Sequence, residues 1–414
     1  MAQFYYARDT KVFMTPAGST AIAWEIPVLD GLSFSQATSS TEITLNEMVS
    51  TAGVSRRSRQ LFTNAFEPSE WSFSTYMRPF GSVPATSGNG WEVAASAPSG
   101  NPQHCVEEAL WAYFVGAKHY FPAAADGSTA GKWTTTDAGT TVGGITNSDT
   151  NTIIDFTQSE VATLPEFDMY IELGGAQDGA DLTYKLGKCV VNEAAIDFDI
   201  DGIATINWSG FGQAISEHDS DSGNPPAFTR TIAEGIHGVT SNFIKNRLTT
   251  LSVVGTNITA AASGADTYNI VLTGGNLTFS NNVTFLTPET LGVVNLPIGN
   301  VTGTRSVSGS ATCYLNHASA GSADLFEDLA ELTDASANSS AITNSFALGF
   351  GIGGSASPSV QVSLPRCHLD VPSHSVEDII SVDIAFNALP ASVEPGATAA
   401  NYEALITYAG PDLA

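Results

Sequence analysis

A chain of 414 residues, 43 % of them hydrophobic, is long enough for two or three average domains with real cores. Its 15 Lys and Arg stand against 42 Asp and Glu, a formal charge of −27. That excludes the basic stripe of a nucleic-acid binder and docking on an anionic membrane. Only 14 % of residues are charged and 38 are glycine, against roughly 25 % charged in ordinary soluble domains, so strands and turns are favoured and much of the surface is expected to be covered.

In chain order, Leu32-Ser-Phe-Ser opens an early strand. From Ser35 to Phe66 periodicity is weak, and Arg56, Arg57 and Arg59 sit there together. A polar loop that long inside a compact domain is unusual unless it has a task. Trp71-Ser-Phe-Ser-Thr-Tyr alternates with strand period. A helix is expected with Asn101 as cap and Pro102 as its first residue; Val106, Leu110, Trp111 and Phe114 form its stripe before Gly116.

The clearest segment runs from Tyr184 to Gly210. Ile196, Phe198 and Ile200 alternate with Asp197, Asp199 and Asp201, and Asp201-Gly202 has the chemistry of a type I′ turn. The return strand alternates Ile203, Thr205 and Asn207 with Ala204, Ile206 and Trp208. The expectation is a long hairpin with one apolar and one acidic-polar face. A polar, Pro-rich linker follows at 216–240, and a second unit is expected to open near Asn242-Phe-Ile-Lys-Asn.

A shift of 178 positions lays a later segment on this hairpin without a gap: Cys189 meets Cys367, Val191 meets Leu369, Ile206 meets Ile384 and Trp208 meets Phe386. Asp201-Gly202 falls on Ile379-Ile380, so the second hairpin is expected to turn at Glu377-Asp378. Leu277-Thr-Phe-Ser repeats Leu32-Ser-Phe-Ser, and Val307-Ser-Gly-Ser-Ala-Thr repeats Trp71-Ser-Phe-Ser-Thr-Tyr. A second helix is expected from Ser322, with Leu325, Phe326, Leu329 and Leu332 as its stripe. The order of strands, one helix and a long hairpin therefore occurs twice, dividing the chain into 1–215, a linker at 216–240, and 241–414.

Motifs that could carry chemistry give way to plainer readings. Asp197-x-Asp199-x-Asp201-Gly202 opens like a calcium loop, but Trp208 stands where a bidentate Glu is needed. A solvated hairpin face is the better account. Gly349-Phe-Gly-Ile-Gly-Gly354 matches a dinucleotide fingerprint but precedes an alternating strand, Val360-Gln-Val-Ser-Leu, instead of a helix. The seven His have no ligand spacing, and His104 and Cys105 read as core or cap residues at a helix start. The four Cys form neither a disulfide framework nor a zinc site. No enzyme, catalytic residue, metal or cofactor is expected. No run approaches the ~18 apolar residues of a spanning helix. The N-terminus lacks a basic region followed by an apolar stretch, so a start in the cytoplasm is expected.

Lys188-Cys-Val-Val-Asn with Ile196-Asp-Phe-Asp-Ile-Asp-Gly-Ile-Ala-Thr-Ile-Asn-Trp-Ser-Gly resembles the tail tube (major tail) proteins of long-tailed bacteriophages. So do Asn242-Phe-Ile-Lys-Asn-Arg-Leu-Thr-Thr-Leu, Gly274-Gly-Asn-Leu-Thr-Phe-Ser-Asn-Asn and Thr304-Arg-Ser-Val-Ser-Gly. The resemblance implies a mainly β fold: two tandem tube-type β-sandwich domains, each with one flanking helix and a long hairpin that joins a ring-lining β-barrel. It implies homotrimeric, pseudo-hexameric rings stacked into the tube of a virion, assembled in the host cytoplasm. The implied partners are other copies, a tape-measure protein, tail terminator or baseplate proteins, and DNA in non-specific transit; no membrane is involved. Asp197, Asp199, Thr205 and Asn207 would face the lumen, and Arg56, Arg57 and Arg59 would dock a neighbouring ring. Rival readings are an outer-membrane β-barrel, which needs a signal peptide and alternating strands throughout, a secreted β-rich binding protein, and a sugar-degrading tail enzyme with paired carboxylates.

Overall fold

The computed structural model describes residues 5–7, 10–18, 22–43, 60–84, 91–93, 103–116, 141–142, 145–148, 150–156, 163–173, 182–218, 229–230, 242–255, 267–291, 293–331, 345–376, 379–390 and 402–410. The fold is mainly β. One antiparallel sheet, the wall sheet, organises it. Its strands are β1 (Ser33–Glu42), β2 (Leu61–Tyr76), β3 (Leu182–Phe198), β4 (Thr205–Gly212), β5 (Leu272–Ser280), β6 (Ser306–Tyr314), β7 (Ser359–Leu369), β8 (Ser373–Ser375) and β9 (Ser381–Ala388). Hydrogen bonding gives the order β1-β2-β4-β3 from the first half, then β5-β6-β9 and finally β7 with β8 from the second. The junction pairs β3 with β5, from Glu193↔Ser280 to Phe198↔Gly275. Both halves thus contribute to one sheet in the same strand order.

A second layer packs behind it. In the first half it holds Thr10–Pro16, Ile22–Ile26, Phe167–Leu173 and the opening of β3; in the second, Thr250–Gly255, Thr267–Ile270, Phe346–Ile352, Leu405–Ala409 and the opening of β7. β3 passes between layers at Lys188, which has φ 51° and whose N–H donates to Asp168 Oδ1 at 2.9 Å. β7 makes the same passage: residues up to Leu364 pair within the second layer, and Cys367–Leu369 pair with β9.

The core lies between the layers and is continuous through both halves. At its centre is helix α1 (Glu108–Phe114), every residue of which is buried. The Trp111 ring lies 4.8 Å from Trp208 and 5.4 Å from Phe279, while its Nε1 donates to the Tyr408 hydroxyl at 2.9 Å. Edge-on packing of this kind strengthens an aromatic cluster beyond simple burial. Helix α2 (Ser322–Glu331) buries Leu325 and Leu329, and Ala320 N–H donates to Asp324 in its first turn.

Several local expectations change. α1 begins at Glu108 instead of Pro102, because Gln103–Cys105 pairs as a strand with Pro79–Gly81; Asn101 and Pro102 lie outside the described residues. Asp201-Gly202 is not a type I′ turn, since neither residue has positive φ. The second half captures the connection instead. Asn246 N–H donates to the Gly202 carbonyl at 3.0 Å, Ala204 N–H to the Ile244 carbonyl at 2.8 Å, and Ile203 bridges Lys245. Ile200, expected on the apolar face, is 47 % exposed in that open connection. Within the expected linker, Ser216 and Glu217 end a strand paired with β3, and Thr229–Arg230 pair in parallel with Ile22 and Ala23. The second hairpin's connection runs between the paired Ser375 and Ser381; Glu377-Asp378 itself lies outside the described residues.

Candidate functional site

Strand alternation divides the wall sheet into two chemically different faces. Toward the core point Trp71, Phe73, Ala194, Ile196, Ile206, Trp208, Leu277, Phe279, Val307 and Phe386, all buried. The open face carries short polar side chains that bond along and across strands. Ser74 Oγ donates to Asn207 Oδ1 at 2.6 Å, and Asn207 Nδ2 donates to Asp197 Oδ2 at 3.0 Å. One strand further, Asp197 pairs with Asn276, whose Oδ1 accepts the Ser310 N–H at 2.9 Å. Beyond that, Thr312 Oγ1 donates to Asp383 Oδ1 at 2.6 Å. Three polar groups thus lie side by side across β2, β4, β3, β5, β6 and β9.

Of the four hairpin residues expected to face a channel, Asp197 and Asn207 are exposed on this face and bonded to each other. Thr205 is half-buried, and Asp199 is exposed in the connection beyond β3. The sequence reading missed Ser74, Asn276, Thr312 and Asp383, whose signal was the same alternation in strands taken only as repeat markers. Arg56, Arg57 and Arg59 lie outside the described residues.

The charge on the wall strands is mostly negative. β1, β2, β4, β5, β6, β8 and β9 contain no Lys or Arg, nor does the stretch of β3 after Lys188, while β7 carries the exposed Arg366. The strands without a cation do contain Glu42, Glu67, Glu70, Glu193, Asp197 and Asp383. A surface dominated by serine, threonine, amide and carboxylate groups offers an anionic polymer few phosphate partners among the described residues. Asp201 has a cation beside it, Arg247 at 3.7 Å, but both are so exposed that the pair is worth little.

A second cluster is buried and holds α1 in place. His104 Nδ1 and Glu108 Oε2 are 2.8 Å apart, Asn147 Nδ2 donates to the Gln103 carbonyl at 2.7 Å, and Arg78 Nη2 donates to Asn242 Oδ1 at 3.1 Å. Burial raises the Glu107 carboxyl to about 8. Burial likewise holds the Tyr408 hydroxyl well above its ordinary range. These groups are sealed between layers and join the two halves.

Among the described residues both edges of the wall sheet are open: β1 pairs only with β2, and β8 only with β9. An open edge is a row of unpaired N–H and C=O groups that ordinarily finds a partner or is blocked by charge or proline.

The chain is 26 % identical over 397 residues to the tail tube protein pb6 of Escherichia phage T5, an alignment that covers 94 % of this chain and 73 % of that one. No protein-family model matches the chain.

Proposed function

We infer that this chain is a structural subunit of a phage tail tube, a virion component that associates with copies of itself. The observation that carries this is the wall sheet: one face apolar and packed, the other polar and acidic, both edges open, in a chain similar to a tube protein along nearly its whole length.

The two-unit division at 1–215 and 241–414 is our reading of the repeated strand order. Its support is that β3 joins β5 within the chain as one unit would join the next. The same antiparallel pairing, made between the β7–β8 edge of one copy and β1 of its neighbour, closes a barrel and removes every edge. With β7 and β8 sharing one edge of β9, the wall has eight strand positions, and three copies of it exceed the ~16–18 strands that already leave a water-filled channel in a porin. Our reading is a trimer with six quasi-equivalent wall segments, two from each chain.

The polar face then lines the channel, with Asp197, Asp199, Thr205 and Asn207 among its residues. Its work is passive. An acidic wall repels phosphate, so DNA slides without adhering. The remaining partners are a tape-measure protein inside the tube and terminator or baseplate proteins at its ends, with assembly in the host cytoplasm. Catalysis has no part in this reading. Native mass spectrometry and negative-stain microscopy of the purified protein test it: rings of three chains are expected, and rings of six chains or a persistent monomer would overturn it.

A further inference from the structure

The open face of the wall sheet is polar, whereas its two ends also expose groups of apolar side chains, beside Asp199, Asp201 and Arg247 at one of them. At the end where β1 leads to β2 and β5 leads to β6, Leu61 and Phe62 are exposed, and the 281–305 segment adds Leu291, Val293 and Ile298. That segment is held across the end of the sheet. Phe66 N–H donates to the Asn295 carbonyl at 2.9 Å, Asn295 N–H to the Asn64 carbonyl at 3.2 Å, and Gln213 Nε2 to the Pro297 carbonyl at 2.6 Å. At the opposite end, the β3–β4 connection exposes Ile200 and Ile203, and the β8–β9 connection exposes Val376, Ile379 and Ile380. Leu315 N–H donates to the Ile380 carbonyl at 3.0 Å, tying this second rim to the end of β6. Leu291 is 99 % exposed and Val376 77 %. Isolated apolar surface residues are ordinary, but contiguous groups of them mark contact surfaces.

We propose that these rims are the two sides of one head-to-tail interface between copies of this chain, the 281–305 rim of one copy seated on the Ile200–Val376 rim of the next. The inference rests on the tube reading above and names the chemistry that joins successive rings. A second copy is the occupant because the rims differ and lie at opposite ends of the same strands. One translation along the wall sheet brings the first rim of one copy onto the second rim of another. A heterologous contact of that kind does not close on itself; it propagates. In a barrel the strands run within 35–45° of the axis, so their ends are the faces a ring offers to its neighbours. Its apolar side chains tolerate salt that would screen ion pairs such as Asp201–Arg247 beside them.

The test is cross-linking with a short bis-maleimide in assemblies of Leu291→Cys, Val376→Cys and the double variant. All four native cysteines are buried and stay silent. The expected result is a ladder of multimers on a denaturing gel from the double variant and no multimers from either single one. Dimers from a single variant would mean like ends meet, and tubes without a ladder would mean these rims do not touch; either overturns the inference and leaves the tube reading standing. Absence of any ring or tube in unmodified protein would overturn both. As a second measurement, Val293→Asp with Val376→Asp should leave rings intact and shorten tubes at least tenfold at any salt concentration. Tubes of unchanged length would refute the apolar contact.

Discussion

Trp71 on β2 lies directly opposite Gly210 on β4, where a Cβ would come within 2.3 Å of the indole ring and 2.1 Å of the Val190 carbonyl oxygen. The second half uses the same device with the strands exchanged. Gly309 on β6 faces Phe386 on β9, and a Cβ there would stand 2.7 Å from the ring and 2.2 Å from the Asn276 carbonyl oxygen. A large aromatic laid over a glycine on the core face fills the space that a side chain there would otherwise take. Gly210→Ala and Gly309→Ala should each destabilise the fold by about 1–3 kcal/mol through overpacking. Gly349→Ala, where the nearest atom would be 3.9 Å away, is the control and should change little. Urea unfolding of the three variants decides it; equal midpoints would show that the aromatics move aside freely.

Glu107 gives stability a definite pH dependence. Its carboxyl sits near 8 in the fold against 4.5 for the free side chain, because burial disfavours the charge. The favourable contribution is complete below about 4.5 and disappears as pH rises to about 8, at up to about 1.4 kcal/mol per pH unit. The groups around it are Arg78, Cys105, Glu108 and Tyr408. Glu107→Gln keeps the shape without the charge, so wild type and variant should be close at pH 5 while the variant gains at pH 8. Parallel melting curves across that range would remove Glu107 as the source.

Asp197 and Asp199 are the carboxylates placed to govern sliding. Asp197→Lys with Asp199→Lys should leave the rings intact, because both residues are exposed and neither supports the core; Asp197→Lys alone, within β3 and away from the Ile200–Val376 rim, separates an effect on sliding from one on stacking. Genome ejection should slow, and the slowing should fade at high salt, where phosphate–lysine contacts are screened. Ejection kinetics at two salt concentrations give the answer. Wild-type rates at low salt would discharge these two residues from the role.

The Arg56, Arg57 and Arg59 segment joins β1 to β2 and carries cations that suit an acidic neighbour of the same kind. Replacing all three with Ala should leave the subunit folded, by circular dichroism, and reduce the rate at which tubes lengthen. The loss should be largest at low salt. Tubes that grow at the normal rate would assign stacking to other contacts alone.

Cys189 and Cys367 mark how far the sequence could be read. Their 178-residue offset is visible in the sequence, and each thiol donates to a carbonyl three residues earlier, Leu186 at 3.5 Å and Leu364 at 4.0 Å, where β3 and β7 change layers. Matching residues do matching work. The offset is less regular than it looks, though. Val191 pairs with Gly210, whereas Leu369 pairs with Phe386, two residues short of the equivalent position. The second hairpin is out of step by the same two residues on both sides of the gap at 370–372, since His374 pairs with Val382 where Ile196 pairs with Ile206.

The sequence by itself determined the mainly β character and the two faces of the 184–210 hairpin and of the strands that repeat along the chain, because side-chain alternation and repeated spacing are local properties that survive whatever the partner is. Tertiary structure decided where the partners lie. Phe198 is held by Gly275, Gly202 by Asn246, and Trp111 by Trp208, Phe279 and Tyr408. Those contacts opened the Asp201-Gly202 turn, moved the start of α1 and exposed Ile200. A tight turn or a capped helix is only a local preference, worth about 1 kcal/mol; backbone partners and a shared aromatic core from the other half outweigh it.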